Sequence, residues 1–316
     1  MTPKIVDCTL RDGGLVNNFF FNDDFTKHLY KANLKSGIDY MEFGYKASKK
    51  LFSKKEYGKW KFCDEEDLRT IIDINEKPMK ICVMADVGRC DYREDIIPRK
   101  YSVIDMIRIA SYTNTVSEAI TMIEYCHQLG YETTINLMAV STTDTDTLIH
   151  ALSALKDCPV DVIYLVDSYG ALYPCQIQNY IKLYLKYCNH TKKLGIHAHN
   201  NQQLAFANTL EAYQLGTEFL DVTINSLGRG AGNCPSELLI NAIKENTALC
   251  IDPILQFIED YILELKKQGL KWGYDIPYLI TGNYNQHPSS AIQFIKEGKH
   301  NYNIFNQNVK QHSFIL

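Results

Sequence analysis

The chain has 316 residues, 46% of them hydrophobic and 22% charged, the profile of an ordinary globular protein with enough length for one large core. A net charge of -4 gives no basic footprint for a phosphate backbone, which argues against nucleic-acid binding. The N-terminus has no apolar signal-type core and no stretch of about 18 uncharged apolar residues occurs, so neither export nor a membrane span is expected; ten scattered cysteines without a CxxC pair read as reduced core thiols of a cytoplasmic protein.

Short apolar runs alternate with stretches of helical period, the signature of repeated βα units. The first run, Ile5 to Leu10, is followed by a glycine pair and a helix from about Asp23 to Lys35, stopped by Gly37. Run two is Tyr40 to Tyr45, then a solvated loop with Lys49, Lys50, Lys54 and Lys55 and a helix near Asp64. Runs three and four are Lys80 to Ala85 and Val103 to Ala110; Thr115 and Glu118 fit a capping box opening the next helix, which Gly130 closes. Thr133 to Val140, Val162 to Val166, Lys193 to His199 and Phe219 to Ile224 complete eight strands, with helices expected over 144–156, 174–189, 201–215 and 235–248. Eight parallel strands close a (β/α)8 TIM barrel, an α/β fold, here over 1–249. From Asp252 the rhythm changes to a helical stripe and then an aromatic segment, a C-terminal helical appendage over 250–316.

Residues at the C-terminal ends of barrel strands face the site, so polar groups there carry the functional reading. DCTLRDGG places Arg11 and Asp12 after strand one, as site residues or as a plain exposed ion pair. In GIHAHNN, His197 and His199 are two apart and project from one strand face, where two imidazoles chelate a divalent ion or merely stack. In NSLGRGAGNCPSE the glycines permit close backbone approach; the loop either brings helix N-terminal amides to an anion or makes a tight turn, and it does not match the dinucleotide fingerprint.

In this order and at these strand ends, the three elements resemble the DRE-TIM metallolyase family, also called HMG-CoA-lyase-like, over roughly residues 4 to 245. The resemblance assigns the name-giving trio to Asp12, Arg11 and, in YMEFGYKAS, Glu42, and the metal to Asp12, His197 and His199, with Asn233 as a further ligand. DSYGALYP is similar to the family's DSxG turn and makes Ser168 a substrate-carboxylate contact. GRGAGNCPSE is closer to the GAGAGNAPLE loop of 4-hydroxy-2-oxovalerate aldolases than to the GERAGN loop of isopropylmalate and homocitrate synthases. The resemblance therefore implies an aldolase or lyase acting beside a 2-oxo acid. Mixed nitrogen and oxygen ligands favour Mn²⁺ or Mg²⁺, with Zn²⁺ also compatible. Arg11 would stabilise an enolate, with Glu42 orienting it.

One departure stands out: the aldolases carry a basic histidine three residues after the metal Asp, and here that residue is Leu15. His287 in GNYNQHP is the leading replacement, followed by Tyr284, a substrate contact as well, and Tyr169. The expected partners are a small 2-oxo acid and an aldehyde, with an aldehyde dehydrogenase and a homo-oligomer allowed by the family. Two other readings stay open: a Claisen-type acyl-CoA synthase or acyl-CoA lyase, and a catalytically silent barrel that binds a metal or a partner.

Overall fold

The computed structural model describes residues 2–72, 78–188 and 191–313. Eight parallel strands close on themselves in chain order: β1 (Lys4–Asp7), β2 (Tyr40–Tyr45), β3 (Lys80–Asp86), β4 (Met106–Ser111), β5 (Glu132–Leu137), β6 (Val162–Asp167), β7 (Lys193–Ala198) and β8 (Phe219–Val222), with β8 pairing back onto β1. Around them lie α1 (Thr9–Asn17), α2 (Asp23–Ser36), α3 (Glu65–Arg69), α4 (Tyr92–Asp95), α5 (Val116–Gln128), α6 (Thr145–Lys156), α7 (Pro174–Tyr187), α8 (Ala205–Gln214) and α9 (Ser236–Ile243). The expected helix over 174–189 thus ends at Tyr187, and residue 189 lies outside the described residues. No described helix is long and apolar enough to cross a membrane.

The strands are buried on both faces, as a covered parallel sheet requires. Outward side chains such as Ile107, Ile109 and Ile163 pack under the helices. Inward ones fill the barrel with Val6, Tyr40, Cys82, Met106, Val162, Tyr164 and Phe219, an apolar plug at the N-terminal end. All ten cysteines are free, seven of them buried. The lysines of the β2–α3 loop form surface ion pairs, Lys49 and Lys54 with Asp64 and Lys50 with Asp91 and Glu94.

Several expected boundaries move, each because a side chain or loop claims the backbone first. Strand one stops at Asp7, not Leu10, because Thr9 donates its hydroxyl to Asp7 (2.6 Å) and accepts the Ile224 amide (2.8 Å), turning the chain straight into α1. Gly13 and Gly14 do not turn the chain away; they sit inside α1, where a Cβ would meet Leu227 at 2.8 Å and the Phe19 ring at 2.1 Å. Strand four begins at Met106, since Glu65 and the Ser102 hydroxyl take the amides of Val103 and Ile104. The capping box at Thr115 and Glu118 does not form: Thr115 bonds Ser111 (2.9 Å) and Tyr112, while Glu118 accepts from Ser117.

Beyond residue 250 the chain is helical: α10 (Asp252–Phe257) continues through one π-helical turn, Ile258–Ile262, into α11 (Leu263–Lys267), followed by α12 (Ile276–Asn283), α13 (Ser289–Lys296) and α14 (Tyr302–Ser313). Phe257 and Tyr261 pack on Phe25 of α2, with ring centroids 5.1 and 5.9 Å away, which ties the first of these helices to the barrel wall. Ala231, next to the site loop, packs with Tyr278, Ala291, Phe294, Phe305 and Val309, so the last three helices lean on the loop after β8. That contact brings the α12–α13 connection, with His287, to the barrel mouth.

Candidate metal and enolate site

Above the apolar plug the barrel interior becomes ionic. Arg108, from the middle of β4, is fully buried over the Tyr164 ring (4.5 Å), donating to Glu42 of β2 (2.9 Å) and Asp221 of β8 (2.5 Å). Glu42 also accepts from Arg11 Nε at 2.7 Å, and Arg11 in turn pairs with Asp12. Alternation along the strands explains the placement: Glu42, Arg108 and Asp221 fall on inward positions one layer above the plug, and a buried charge persists only when paired. Arg11 and Asp12 descend onto this layer from the first turns of α1, not from a strand end.

His197 meets this layer from β7 and His199 from the residue just past its end, their rings 5.1 Å apart and inclined at 75°. His197 donates its Nδ1–H to Asp221 (2.8 Å), and His199 donates its Nδ1–H to the Asp167 carbonyl (3.0 Å). In both rings Nδ1 is thereby committed, and Nε2 is the nitrogen left to meet a ligand. His199 is held neutral, its pKa pushed well below the usual imidazole range by burial, then by Arg229 and His197. Asp221 is pushed up by burial, but the Arg108 guanidinium and His197 outweigh this and bring it down to about 2, so it stays a carboxylate.

His197 Nε2 lies 3.3 Å from Asp12 Oδ2. A carboxylate oxygen and a ring nitrogen thus meet in a buried space. Asp12 Oδ2 and Asn233 Oδ1 are both enclosed with no hydrogen-bond partner among the described residues. Asn233 is positioned by a bridge to His199 and by Gly228, where a Cβ would lie 2.0 Å from Oδ1; its Nδ2 stands 3.1 Å from His197 Nε2. Buried polar atoms are otherwise almost always satisfied, so this convergence fits a cation between the carboxylate and the imidazole.

Among the described residues, the potential ligand atoms of Cys8, Asp12 and His197 lie within 4.8 Å of one another, a set that does not include His199. Cys8 is poorly suited as a ligand. Its Sγ accepts from Arg108 (3.3 Å), and burial, reinforced by Asp221 and Glu42, raises the thiol well above its usual range, whereas metals take the thiolate. It belongs to the ionic layer beneath the two histidines.

A cleft of about 110 Å³ opens over Arg11, Asp12, His197 and His199, lined also by Ser168, Tyr169, Arg229 and His287. Ser168 accepts the Ala139 amide at 2.8 Å and keeps its hydroxyl proton for a ligand. Leu15 lines the cleft where the aldolase-like base was sought. His287 is at the rim, but its Nε2 meets Arg229 at 3.0 Å, with Nδ1 3.2 Å from the Ser289 amide; partial burial and the Arg229 charge lower its pKa to about 4. Tyr284 is not brought to the cleft and packs with the Tyr278 and Phe294 cluster. Glu42 does not reach the cleft either and acts on it through Arg11.

Arg108, Asp221 and Arg229 escaped the sequence reading. The available signal for the first two was a charge inside an apolar strand run, MIRIAS and FLDV, at an alternate position. Because Asp221 fixes the His197 ring, Asp221→Asn is expected to lower Mn²⁺ affinity by roughly 10- to 100-fold. Titration followed by electron paramagnetic resonance reads this, and unchanged affinity would show that the carboxylate does not orient the ligand.

The sequence model of the HMGL-like family matches residues 2–259. The chain is 27% identical over 301 residues to an oxaloacetate decarboxylase of Mycobacterium tuberculosis, covering 93% of this chain and 85% of that protein. It is 28% identical to a 4-hydroxy-2-oxovalerate aldolase of Pelotomaculum thermopropionicum, over 77% of this chain and 70% of that one. Among solved structures, the N-terminal domain of an aldolase-like protein from Bacteroides vulgatus superposes with a TM-score of 0.82 at 28% identity, covering 92% of this chain and 96% of that chain. The HMG-CoA lyase of Brucella melitensis shares the fold, with a TM-score of 0.69 at 15% identity over 84% and 99% of the respective chains.

Proposed function

The chain belongs to the HMGL-like family, the DRE-TIM metallolyases, and from that premise we propose that it is a divalent-metal-dependent carbon–carbon lyase that makes or breaks the bond beside a 2-oxo acid, in the manner of the 4-hydroxy-2-oxovalerate aldolases. The observation that carries this reading is the buried convergence of Asp12 Oδ2 and His197 Nε2, 3.3 Å apart, beside Asn233 Oδ1, unpartnered among the described residues, with Nδ1 of both His197 and His199 already committed. Asp12, His197 and His199 would hold the ion, with Asn233 beside them. A carboxylate and two imidazoles, with the thiol held protonated, suit Mn²⁺ or Mg²⁺ and admit Zn²⁺. When bound, the ion supplies Lewis-acid polarisation of the keto group of a 2-oxo acid.

The chain's own groups do the rest. Arg11, locked by Asp12 and Glu42, presents a fixed positive charge to the oxygen on which enolate charge develops, at no reorganisation cost during reaction. Ser168 offers its hydroxyl to the substrate carboxylate. His287, with Nε2 facing Arg229, holds that guanidinium in place instead of serving as the base. The 4-hydroxyl proton of an aldol substrate therefore passes to solvent in the cleft. A second reading, release of CO₂ from a 3-carboxylated 2-oxo acid, is favoured by Leu15, because decarboxylation yields the same enolate without any base. Ten free thiols fit a cytoplasmic setting for either reaction.

Enolate formation is tested without knowing the second substrate. In heavy water with Mn²⁺, the methyl protons of pyruvate are expected to exchange in the presence of the protein and to stop exchanging when the metal is chelated. Exchange on acetyl-CoA instead would point to the Claisen class, and no exchange on either would leave a binding barrel.

A further inference from the structure

Two guanidinium groups line the cleft, and they differ in how their charge is balanced. Arg11 is ion-paired with Asp12 and Glu42. Arg229 has no carboxylate within ion-pair distance among the described residues: one terminal nitrogen meets the neutral ring of His287 (3.0 Å), the other donates to the Ser168 carbonyl (3.1 Å), and its enclosed Nε finds no partner. These two contacts pin the planar fork, and its remaining donors are unused. Burial lowers its pKa, and the more distant Asp12 charge only partly offsets this.

Depth matters as well. Arg11, Asp12 and His197 are at most 4% exposed. Arg229 is partly exposed and stands with the exposed rim residues His287 and Tyr112. A 2-oxo acid whose keto end lies at Asp12, His197 and His199 would therefore direct its far end towards Arg229, while Leu15, Met84 and Met138 supply apolar lining. On the basis of the proposed lyase reaction, we infer that Arg229 binds a second carboxylate at the far end of the substrate, so that the carbonyl partner is itself an oxo acid such as glyoxylate, not a simple alkyl aldehyde. In cleavage the 4-hydroxyl proton goes to solvent, the C3–C4 bond breaks, and its electron pair enters the enolate of pyruvate. C3 then takes a proton from water and the oxo acid leaves.

Two substrates that differ only in the group on C4 test this: 4-hydroxy-2-oxoglutarate, with a carboxylate, and 4-hydroxy-2-oxovalerate, with a methyl. The wild type with Mn²⁺ is expected to cleave the first with kcat/KM about 10²-fold or more above the second, since a site built to bond a polar group rejects its apolar analogue. Arg229→Ala should reduce that ratio to within about tenfold, and added guanidinium should restore much of it. Arg229→Lys, together with unaltered Mn²⁺ binding, guards against a folding defect. Equal cleavage of both substrates by the wild type, or an equal loss on both in Arg229→Ala, overturns the inference; the latter would place Arg229 on the chelating carboxylate common to both. Pyruvate exchange by the same wild-type sample separates the two levels: exchange without the preference overturns only this inference, and absence of exchange overturns the lyase reading with it.

Discussion

Arg11→Ala is expected to slow metal-dependent exchange of the pyruvate methyl protons by about 10²–10³-fold, the loss typical of removing one preorganised donor from a developing oxyanion. The expectation follows from how Arg11 is held. Its Nε is fixed on Glu42 at 2.7 Å and a terminal nitrogen on Asp12, and opposition from burial is outweighed by those two carboxylates, which raise its pKa well above the usual range. The charge is therefore permanent and aimed before substrate arrives. Arg11→Lys should recover only part of the rate, because an ammonium cannot reach both carboxylates with the geometry of a fork. Nuclear magnetic resonance of the methyl signal gives the rate directly, and a variant within threefold of the wild type would remove Arg11 from the enolate chemistry.

Glu42→Ala should produce the largest loss of stability, about 3–5 kcal/mol, the usual consequence of deleting one partner from a buried ionic cluster. Glu42 Oε2 serves both Arg11 and Arg108, and neither Glu42 nor Arg108 is exposed at all. Arg108 would retain Asp221 and Arg11 would retain Asp12, but each guanidinium would lose a charged acceptor and keep a buried donor without a partner. Glu42→Gln keeps the volume and removes the charge, so a similar loss there assigns the effect to charge instead of packing. Chemical denaturation measures it; a change below about 1 kcal/mol in both variants would mean the ionic layer relaxes without Glu42.

The barrel was legible because parallel strands covered on both faces write themselves as apolar runs at βα spacing, and all eight lie where the runs placed them. Strand ends were less so. At Thr9 and Val103 the boundary is set by single side-chain hydrogen bonds that periodicity does not encode, and the same local competition undid the capping box at Thr115. Among the candidate site residues, Arg11, Asp12, His197, His199 and Asn233 converge, since β7 and the segments that follow β1 and β8 all open at the same end of the barrel. Tyr284 does not, because its position depends on how α12 packs on α13 and α14, a tertiary matter absent from the local pattern. Asp221 and Arg108 went unread because charges within short strands look like interruptions until the inward face of the barrel is known. Arg229 was hidden among glycines that suggested a turn.

The central claim is that Asp12, His197 and His199 hold one divalent ion, and the competing trio of Cys8, Asp12 and His197 makes it sharply testable. Mn²⁺ bound per chain, measured by equilibrium dialysis and elemental analysis, should be close to one for the wild type and for Cys8→Ala and should fall to background for His199→Ala. Retention of the metal by His199→Ala, with its loss in Cys8→Ala, would contradict the assignment and move the ion one layer down, into the ionic floor of the barrel.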